Sequence, residues 1–280
     1  MKVLVISDLH GKSIWKTLVN GAEFDKIIFL GDYVDCFNYA VINRMVQELN
    51  NLEKLIQDTQ DIVYKLYLEK NIISVREAIS MMTRNFVSDD DIVKNLEEII
   101  EFKQNKKDKV ILLMGNHDLS YLENFNFYGC SGHNVDLEPK LTPIFTKNKD
   151  LFSAAYALNN KFLFTHGGIN SVFTENYKYP DTPVDIATRL NQEITDLKNN
   201  THILGVFNSA SFNDKLAGPF WQRPFALNRN TSLPFWQIVG HTEFKGIVVN
   251  IENKIAYTDC LNYGTQYLVL EDGCLQIGNI

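Results

Sequence analysis

Histidines in this sequence are concentrated at the ends of short apolar runs, beside aspartate, asparagine or glycine. The chain has six histidines, and the four in such positions are His10, His117, His166 and His241. A single histidine is usually structural, but four in equivalent positions indicate a shared chemical role. Imidazole beside carboxylate can hold manganese, iron, zinc or cobalt, and it can also transfer protons.

A metal site is the first chemistry that this spacing suggests. Asp8 and His10 are two residues apart in SDLHG, so at a strand end their side chains can lie on one side of the backbone and grip one ion. The absence of a nearby cysteine argues against structural zinc. Further oxygen and nitrogen donors follow at Asp32, Asn116, His166 and His241. These are more donors than one ion needs, so we expect two ions with one carboxylate bridging them.

Five apolar runs must position these residues. With the polar residues that follow them, they are KVLVISDLHG, KIIFLGDYVD, KVILLMGNHD, KFLFTHGG and FWQIVGHT. We interpret the runs as buried strands. The polar residues then lie at the carboxyl ends of the strands, where α/β sheets bind ligands. The segment from GIVVN to LQIG alternates short apolar runs with turn residues such as EDG, which predicts antiparallel strands near the C-terminus.

Residues 39–106, between the second and third runs, have helical character. One helical face is predicted by apolar residues at three- and four-residue steps, namely Ile42, Val46, Leu49, Leu52, Ile56, Val63 and Leu66. SVRE at 74–77 is a capping-box pattern, and Ser88 followed by three aspartates predicts another helix start. We expect two or three helices that form a structural insertion, with a substrate-shaping lid as the alternative.

A second region, residues 169–235, is irregular and is expected on the substrate side of the fold. It contains one predicted helix, PVDIATRLNQEITDLKNN, and an aromatic stretch with prolines. His133 lies in a turn-like segment and is interpreted as a loop residue, with a position at the mouth of the site as the alternative. His202 follows a predicted helix and is interpreted as a structural residue.

Composition restricts the class of protein. The chain of 280 residues is 45% hydrophobic and 22% charged, which is typical of a globular protein with a sizeable core. It has no apolar stretch of bilayer length and no secretory signal pattern, so we expect a cytoplasmic protein. The net charge of −7 gives no overall attraction to nucleic acid or anionic membranes. The four scattered cysteines are expected to be reduced thiols.

The ordered motifs SDLHG, GDYVD, GNHD, THGG and GHT resemble those of the calcineurin-like metallophosphoesterase family. The similarity is greatest to the phosphoprotein-phosphatase branch, which includes serine/threonine phosphatases and symmetrical dinucleoside tetraphosphatases. The motifs extend over residues 7–242. The resemblance implies an α/β fold, a β-sandwich of two mixed sheets flanked by helices and carrying a helical insertion. It also implies one domain over residues 1–280.

The same resemblance implies a reaction and the residues that perform it. The reaction is phosphoester hydrolysis with two divalent metal ions and a metal-bridging hydroxide as the nucleophile. Manganese is the first expectation, with iron, zinc, cobalt or nickel as alternatives. The implied ligands are Asp8 and His10 for one metal, Asp32 as the bridge, and Asn116, His166 and His241 for the other metal. The implied general acid is His117, and Asp35 would accept its hydrogen bond and favour its protonated form.

The sequence departs from this branch at two arginines near the substrate phosphate. The usual forms GDYVDRG and RGNHE carry arginine where this chain has Cys36 and Met114. Loss of two planar bidentate donors weakens the case for a phosphoprotein monoester. Arg223 in PFWQRPF resembles an LW-x-R element of bacterial members and is predicted to bind the phosphate. The alternative is a surface arginine stacked on a neighbouring aromatic ring.

The expected partner is therefore a phosphorylated substrate, either a small molecule, a nucleotide or a phosphoprotein. A phosphatase is the main prediction, with a phosphodiesterase or dinucleoside polyphosphate hydrolase as the alternative. A non-catalytic metal-binding interaction module with the same fold is the alternative from another class of protein. The presence of His117, Asp35 and all six implied ligands argues against that module.

Overall fold

The computed structural model describes residues 1–36, 39–84, 86–123, 130, 132–198, 216–230 and 233–280. Its strands are β1 (Lys2–Ile6), β2 (Lys26–Phe29), β3 (Val110–Leu113), β4 (Phe152–Ser153), β5 (Ala155–Leu158), β6 (Phe162–Thr165), β7 (Trp236–Val239), β8 (Val248–Asn250), β9 (Ile255–Tyr257), β10 (Gln266–Glu271) and β11 (Cys274–Asn279). Its α-helices are α1 (Trp15–Gly21), α2 (Tyr39–Asp58), α3 (Ile62–Arg84), α4 (Asp89–Lys106), α5 (Asn116–Leu119), α6 (Glu138–Lys147), α7 (Ser171–Asn176), α8 (Pro183–Lys198) and α9 (Pro224–Asn230).

The strands form two mixed sheets. The first has the order β11-β10-β1-β2-β3-β4, in which β1 to β4 are parallel and β10 pairs antiparallel with β1. The second has the order β5-β6-β7-β9-β8, with antiparallel strands at its two edges. The five apolar runs form β1, β2, β3, β6 and β7, so the predicted strands and the predicted pair of mixed sheets are confirmed.

The two sheets face each other across an apolar layer. Val5 and Ile28 of the first sheet belong to the same buried cluster as Phe164 and Ile238 of the second. Alternate residues of the same strands point to the opposite face, where Phe29 and its neighbours pack against helices α1, α4 and α6. Because the central strands are buried on both faces, they appear in the sequence as continuous apolar runs.

Over its described residues, the insertion at 39–106 contains three helices, within the predicted two or three. The start of α4 is also confirmed, since the Ser88 side chain accepts a hydrogen bond from the Asp91 backbone N–H. The capping box predicted at residues 74–77 is wrong, because those residues lie within α3. Buried Leu68 and Ile72, continued by half-buried residues at 75 and 79, give α3 an uninterrupted apolar side across that site.

The prediction of one continuous apolar face over α2 and α3 is also wrong. Val63 and Leu66 are 77% and 61% exposed. Both residues belong to α3, which begins at Ile62 after α2 has ended. Asp61 caps α3 by accepting hydrogen bonds from the backbone N–H groups of residues 63 and 64. The turn resets the helical phase, so a three- and four-residue pattern counted across it does not mark one face.

Where the structure describes it, the irregular region from 169 to 235 contains α8, as predicted, and two further short helices, α7 and α9. His202 and the last two residues of the predicted helix lie outside the described residues. All four cysteines are free, in agreement with the predicted thiols. Among the described residues, every helix is too short or too polar to cross a bilayer.

Candidate active site

The loops that follow the motif strands adopt an unusual backbone conformation. The left-handed region is occupied by Asp8 (φ 50°), His10 (φ 46°), Asp32 (φ 54°), Asp35 (φ 61°) and His241 (φ 65°). This conformation is rare for residues other than glycine and is concentrated at functional sites. Backbone hydrogen bonds hold the first two loops together, from His10 N to Asp32 O (2.9 Å) and from Gly11 N to Tyr33 O (2.7 Å).

Two motif glycines allow the loops to approach the carboxylates. A Cβ atom at Gly115 would lie 2.0 Å from Asp32 Oδ1, and one at Gly240 would lie 2.2 Å from Asp8 Oδ2. Any other residue at either position would push the carboxylate out of place. The glycines of GNHD and GHT therefore have a steric role in the site.

The structure brings all six implied ligands together as two groups that share Asp32. Ligand atoms of Asp8, His10 and Asp32 lie within 4.8 Å of one another, and so do those of Asp32, His166 and His241. Asn116 joins the second group, with its Oδ1 2.8 Å from His166 Nε2. His10 is half-buried and the others are buried.

The hydrogen bonds of His166 leave a lone pair facing this cluster. Its Nδ1 lies 2.9 Å from the carbonyl oxygen of Leu30, which can only accept, so Nδ1 carries the proton. In the neutral ring, Nε2 then presents a lone pair to Asn116 Oδ1 at 2.8 Å and to Asp32 Oδ2 at 3.2 Å. Three electron-rich atoms converge, and a cation between them would turn repulsion into coordination.

The other two histidines of the cluster are arranged in the same sense. His10 Nδ1 faces the carbonyl oxygens of Val34 (3.0 Å) and Asp35 (3.1 Å), which leaves Nε2 toward Asp32. His241 Nε2 is buried and has no hydrogen-bond partner among the described residues. A buried imidazole nitrogen without a partner is costly unless it binds a ligand, so these residues fit a metal.

The electrostatics of the cluster also fit a positive ion. Burial lowers the pKa values of His10 and His241, which favours the neutral rings that coordinate metals. Burial and the carboxylates of Asp259 and Asp32 raise the pKa of Asp8 well above its ordinary value. Burial opposes ionisation of Asp32 as well, but the positive charge of protonated His117 beside it lowers its pKa. Buried carboxylates in this number call for cations as counter-charges.

His117 and Asp35 form a separate pair beside the cluster. His117 Nδ1 lies 3.0 Å from Asp35 Oδ2, and its Nε2 lies 3.9 Å from Asp32 Oδ2, so the free nitrogen points toward the cluster. Burial lowers the pKa of His117, but Asp32 and Asp35 outweigh it and raise the pKa to about 9. The ring can therefore keep a proton on Nε2 at neutral pH and release it toward the cluster.

Three residues not singled out from the sequence support this arrangement. The buried Asp118 carboxylate accepts hydrogen bonds from the backbone N–H groups of Asp32 (2.8 Å), Tyr33 (2.9 Å) and Gly115 (2.8 Å), which fixes the second loop against the third. The Tyr121 hydroxyl donates to Asp35 Oδ1. Cys130 Sγ accepts from Asn116 Nδ2 at 3.3 Å, which turns the amide oxygen toward His166. The final aspartate of GNHD is a signal that could have identified the first of them.

Arg223 lies beside the last histidine loop. Its Nη1 donates to the carbonyl oxygen of His241 at 2.7 Å and to Thr242 Oγ1 at 3.2 Å. Burial lowers its pKa, whereas the carboxylates of Asp32 and Asp8 raise it. The guanidinium is therefore close enough to the cluster to interact electrostatically with its carboxylates.

The two positions that lack the expected arginines are buried. Cys36 accepts a hydrogen bond from the backbone N–H of Val87 at 3.2 Å, and Met114 is part of the core. Both side chains belong to the same buried apolar cluster. His133 lies one layer further out, with Nε2 2.9 Å from Glu138 Oε1 and its ring centroid 4.9 Å from that of Tyr121.

Comparisons with known proteins agree with this geometry. A family described as calcineurin-like phosphoesterase matches residues 82–242, more than half of the chain. A search of curated proteins finds no match. Among solved structures, a cold-active protein-tyrosine phosphatase of a psychrophilic Shewanella species gives a TM-score of 0.55 at 15% identity, over 99% of this chain and 77% of its own. A substitution variant described as a cold-active protein tyrosine phosphatase gives 0.57 at 16% identity over the same shares.

The structural likeness establishes the shared fold, and the family match reaches the third, fourth and fifth motifs. That match contains Asn116, His117, His166 and His241, and the structure places Asp8, His10 and Asp32 against them. The chain therefore belongs to the calcineurin-like phosphoesterase family and is a metal-dependent phosphoester hydrolase.

Proposed function

We propose that the protein is a dinuclear metallophosphatase that hydrolyses phosphomonoesters and uses manganese. The observation that carries this proposal is the pair of ligand groups that share Asp32. One cation would be held by Asp8, His10 and Asp32. The other would be held by Asp32, Asn116, His166 and His241. When bound, two such ions supply Lewis-acid activation of the attacking water and of the phosphoryl oxygens.

His117 donates a proton to the departing oxygen in this proposal. Its Nδ1 is occupied by Asp35 at 3.0 Å, so the transferable proton is on Nε2, which faces the cluster. A positioned acid of this kind contributes typically 10²- to 10⁴-fold to the rate. The Tyr121 hydroxyl supports it by fixing the rotation of the Asp35 carboxylate.

Arg223 binds a phosphoryl oxygen in this proposal. Its contact with the His241 carbonyl oxygen holds the guanidinium beside one ligand loop, and further donors of its fork can turn to the substrate. Replacement by lysine keeps the charge and removes the fork. We expect Arg223→Lys to raise KM for a phosphomonoester about tenfold.

Phosphodiester or dinucleoside polyphosphate hydrolysis is the second candidate. It is favoured by the buried Cys36 and Met114 in place of two arginines, because a diester carries less negative charge at phosphorus and needs fewer cationic donors. The discriminating assay compares para-nitrophenyl phosphate with its bis ester at equal metal loading. Faster turnover of the monoester supports the phosphatase, and faster turnover of the bis ester supports the second candidate.

Metal content provides the direct test of the dinuclear proposal. We expect two equivalents of metal per chain by elemental analysis after loading with manganese, and loss of turnover on chelation that manganese restores. One equivalent at saturation would contradict the dinuclear site. Asp32→Asn should lose both equivalents, because its carboxylate belongs to both groups.

A further inference from the structure

Helices α2 and α3 form a hairpin whose outer side carries exposed apolar residues. Leu68 and Ile72 of α3 are buried, yet neither belongs to the hydrophobic clusters formed by the two sheets and their flanking helices. The opposite side of α3 exposes between 57% and 77% of five large apolar residues, namely Ile62, Val63, Leu66, Tyr67 and Ile73. We call these five residues the α3 outer face.

The spacing of the α3 outer face makes it one continuous surface. Positions 62, 66 and 73 fall on nearly the same side of the helix, and 63 and 67 lie about one residue step around it. Leu55 of α2 and Tyr64 of α3 are also exposed, by 46% and 44%, and enlarge the apolar surface of the hairpin. Isolated exposed apolar residues are common, but a contiguous cluster of this kind marks an interaction site.

The area of the α3 outer face is close to what a stable dimer needs. From the size of aliphatic and aromatic side chains and their exposed fractions, it presents apolar area on the order of 500 Å². A standard interface buries about 800 Å² on each partner, of which about 60% is apolar. One such face on each of two chains therefore supplies the apolar part of a standard interface.

Charge indicates which partner fits. The sequence of the hairpin, residues 39–84, has six basic residues, Arg44, Lys54, Lys65, Lys70, Arg76 and Arg84. It also has six acidic residues, Glu48, Glu53, Asp58, Asp61, Glu69 and Glu77. The segment is thus neutral in a chain of net charge −7. It has no basic excess to attract an anionic membrane or nucleic acid, and a second copy can approach this segment without net repulsion from it.

We propose that the α3 outer face binds the same face of a second copy, so that two hairpins pack as a four-helix arrangement around a twofold axis. Closed twofold pairing is the commonest symmetry of soluble homo-oligomers and buries the same patch on both chains. Charged residues of both signs flank the face at Lys65, Glu69 and Lys70, so an antiparallel pairing can set acids against bases.

Sedimentation velocity of the full chain tests the proposal. Between about 1 and 100 µM, we expect a species of twice the 32.2 kDa chain mass. Val63→Glu with Leu66→Glu should raise the dimer dissociation constant at least about 100-fold. Because both side chains are exposed, the variant should keep the helical circular dichroism and melting temperature of the parent. Tyr67→Ser is a milder variant that should weaken the dimer in the same direction.

Ile251→Glu is the matched control, because Ile251 is 76% exposed and lies in the turn between β8 and β9. It should leave the dimer unchanged. A parent chain that stays at the monomer mass throughout this concentration range overturns the proposal. So does a dimer that survives both variants of the α3 outer face, or a monomer that instead sediments with anionic phospholipid vesicles.

Discussion

Nδ1 of His117 lies 3.0 Å from Oδ2 of Asp35. This contact assigns the remaining ring nitrogen, Nε2, to the side of the metal-ligand cluster, 3.9 Å from Asp32 Oδ2. The two aspartates of GDYVD therefore face opposite nitrogens of the same imidazole ring. Asp32 lies within the cluster, and Asp35 lies behind the proposed acid.

If His117 is the general acid, its removal should matter most for poor leaving groups. We expect His117→Asn to lower kcat for phenyl phosphate about 10²- to 10⁴-fold. The loss should be much smaller for 2,4-dinitrophenyl phosphate, whose leaving group departs without a proton. Metal content should stay at two equivalents. Equal losses for both esters would contradict the acid role.

Substitution of the two aspartates should have opposite effects on metal binding. Asp32→Asn should lose bound metal, since one carboxylate serves both ligand groups. Asp35→Asn should retain the metal, because its side-chain oxygens bond to His117 and Tyr121. Elemental analysis of both variants after the same manganese loading checks this. Retention of metal by both, or loss by both, would count against the division of roles.

Tyr121 should act on turnover through Asp35. We expect Tyr121→Phe to lower kcat for phenyl phosphate by about tenfold with KM and metal content unchanged, since one hydrogen bond to a charged group is lost. As for His117→Asn, the loss of kcat should be smaller for 2,4-dinitrophenyl phosphate, because Tyr121 acts through Asp35 on the proton donor His117. Tyr257→Phe is the control, since it removes a hydroxyl bonded to Asn228 (2.9 Å). An equal kcat loss in both variants would indicate a general packing effect.

Lys198 should make stability depend on pH. Burial lowers its pKa to about 8, and its amine donates to the carbonyl oxygens of Lys149 and Phe152. The unfolded chain keeps the proton up to about pH 10.4, so it binds more protons than the folded chain between these values. The penalty for the buried charge is complete below about pH 8 and disappears as pH rises.

We therefore expect the parent to gain stability relative to Lys198→Met by about 2 kcal/mol between pH 7.5 and 9.5. Urea unfolding at the two pH values measures the difference, and titration of all other groups cancels between the two proteins. A difference that stays constant over this interval would show that the buried amine does not titrate there.

The sequence predicted the motif strands because their signals are local. Each run is short, β-branched and closed by polar residues, and the strands it predicts are buried on both faces, as Phe29 and Phe164 illustrate. The order of the motifs then indicated which side chains meet. The structure brings all the implied ligands together, including His241, which lies 233 residues from Asp8 and donates its backbone N–H to that carboxylate at 3.0 Å.

The failures of prediction have physical causes in packing. A capping-box pattern at Ser74 has the right residues, but α3 continues through it because the helix buries an apolar side against α2. The apolar pattern of α2 could not be continued into α3, because the turn at Asp61 changes the helical phase. The contacts of Tyr121 and Cys130 join segments whose sequences carry no periodic signal, so only the folded chain could reveal them.

Five residues of the site, Asp8, His10, Asp32, Asp35 and His241, occupy left-handed backbone conformations that cost about 1 kcal/mol or more each. Glycine would remove that strain, and at the buried aspartates it would also remove a desolvated charge. A laboratory selection for heat resistance alone would therefore erase this centre first. Sequence libraries built to stabilise the protein should hold these five positions fixed, because a search for stability alone would favour glycine at these positive φ angles.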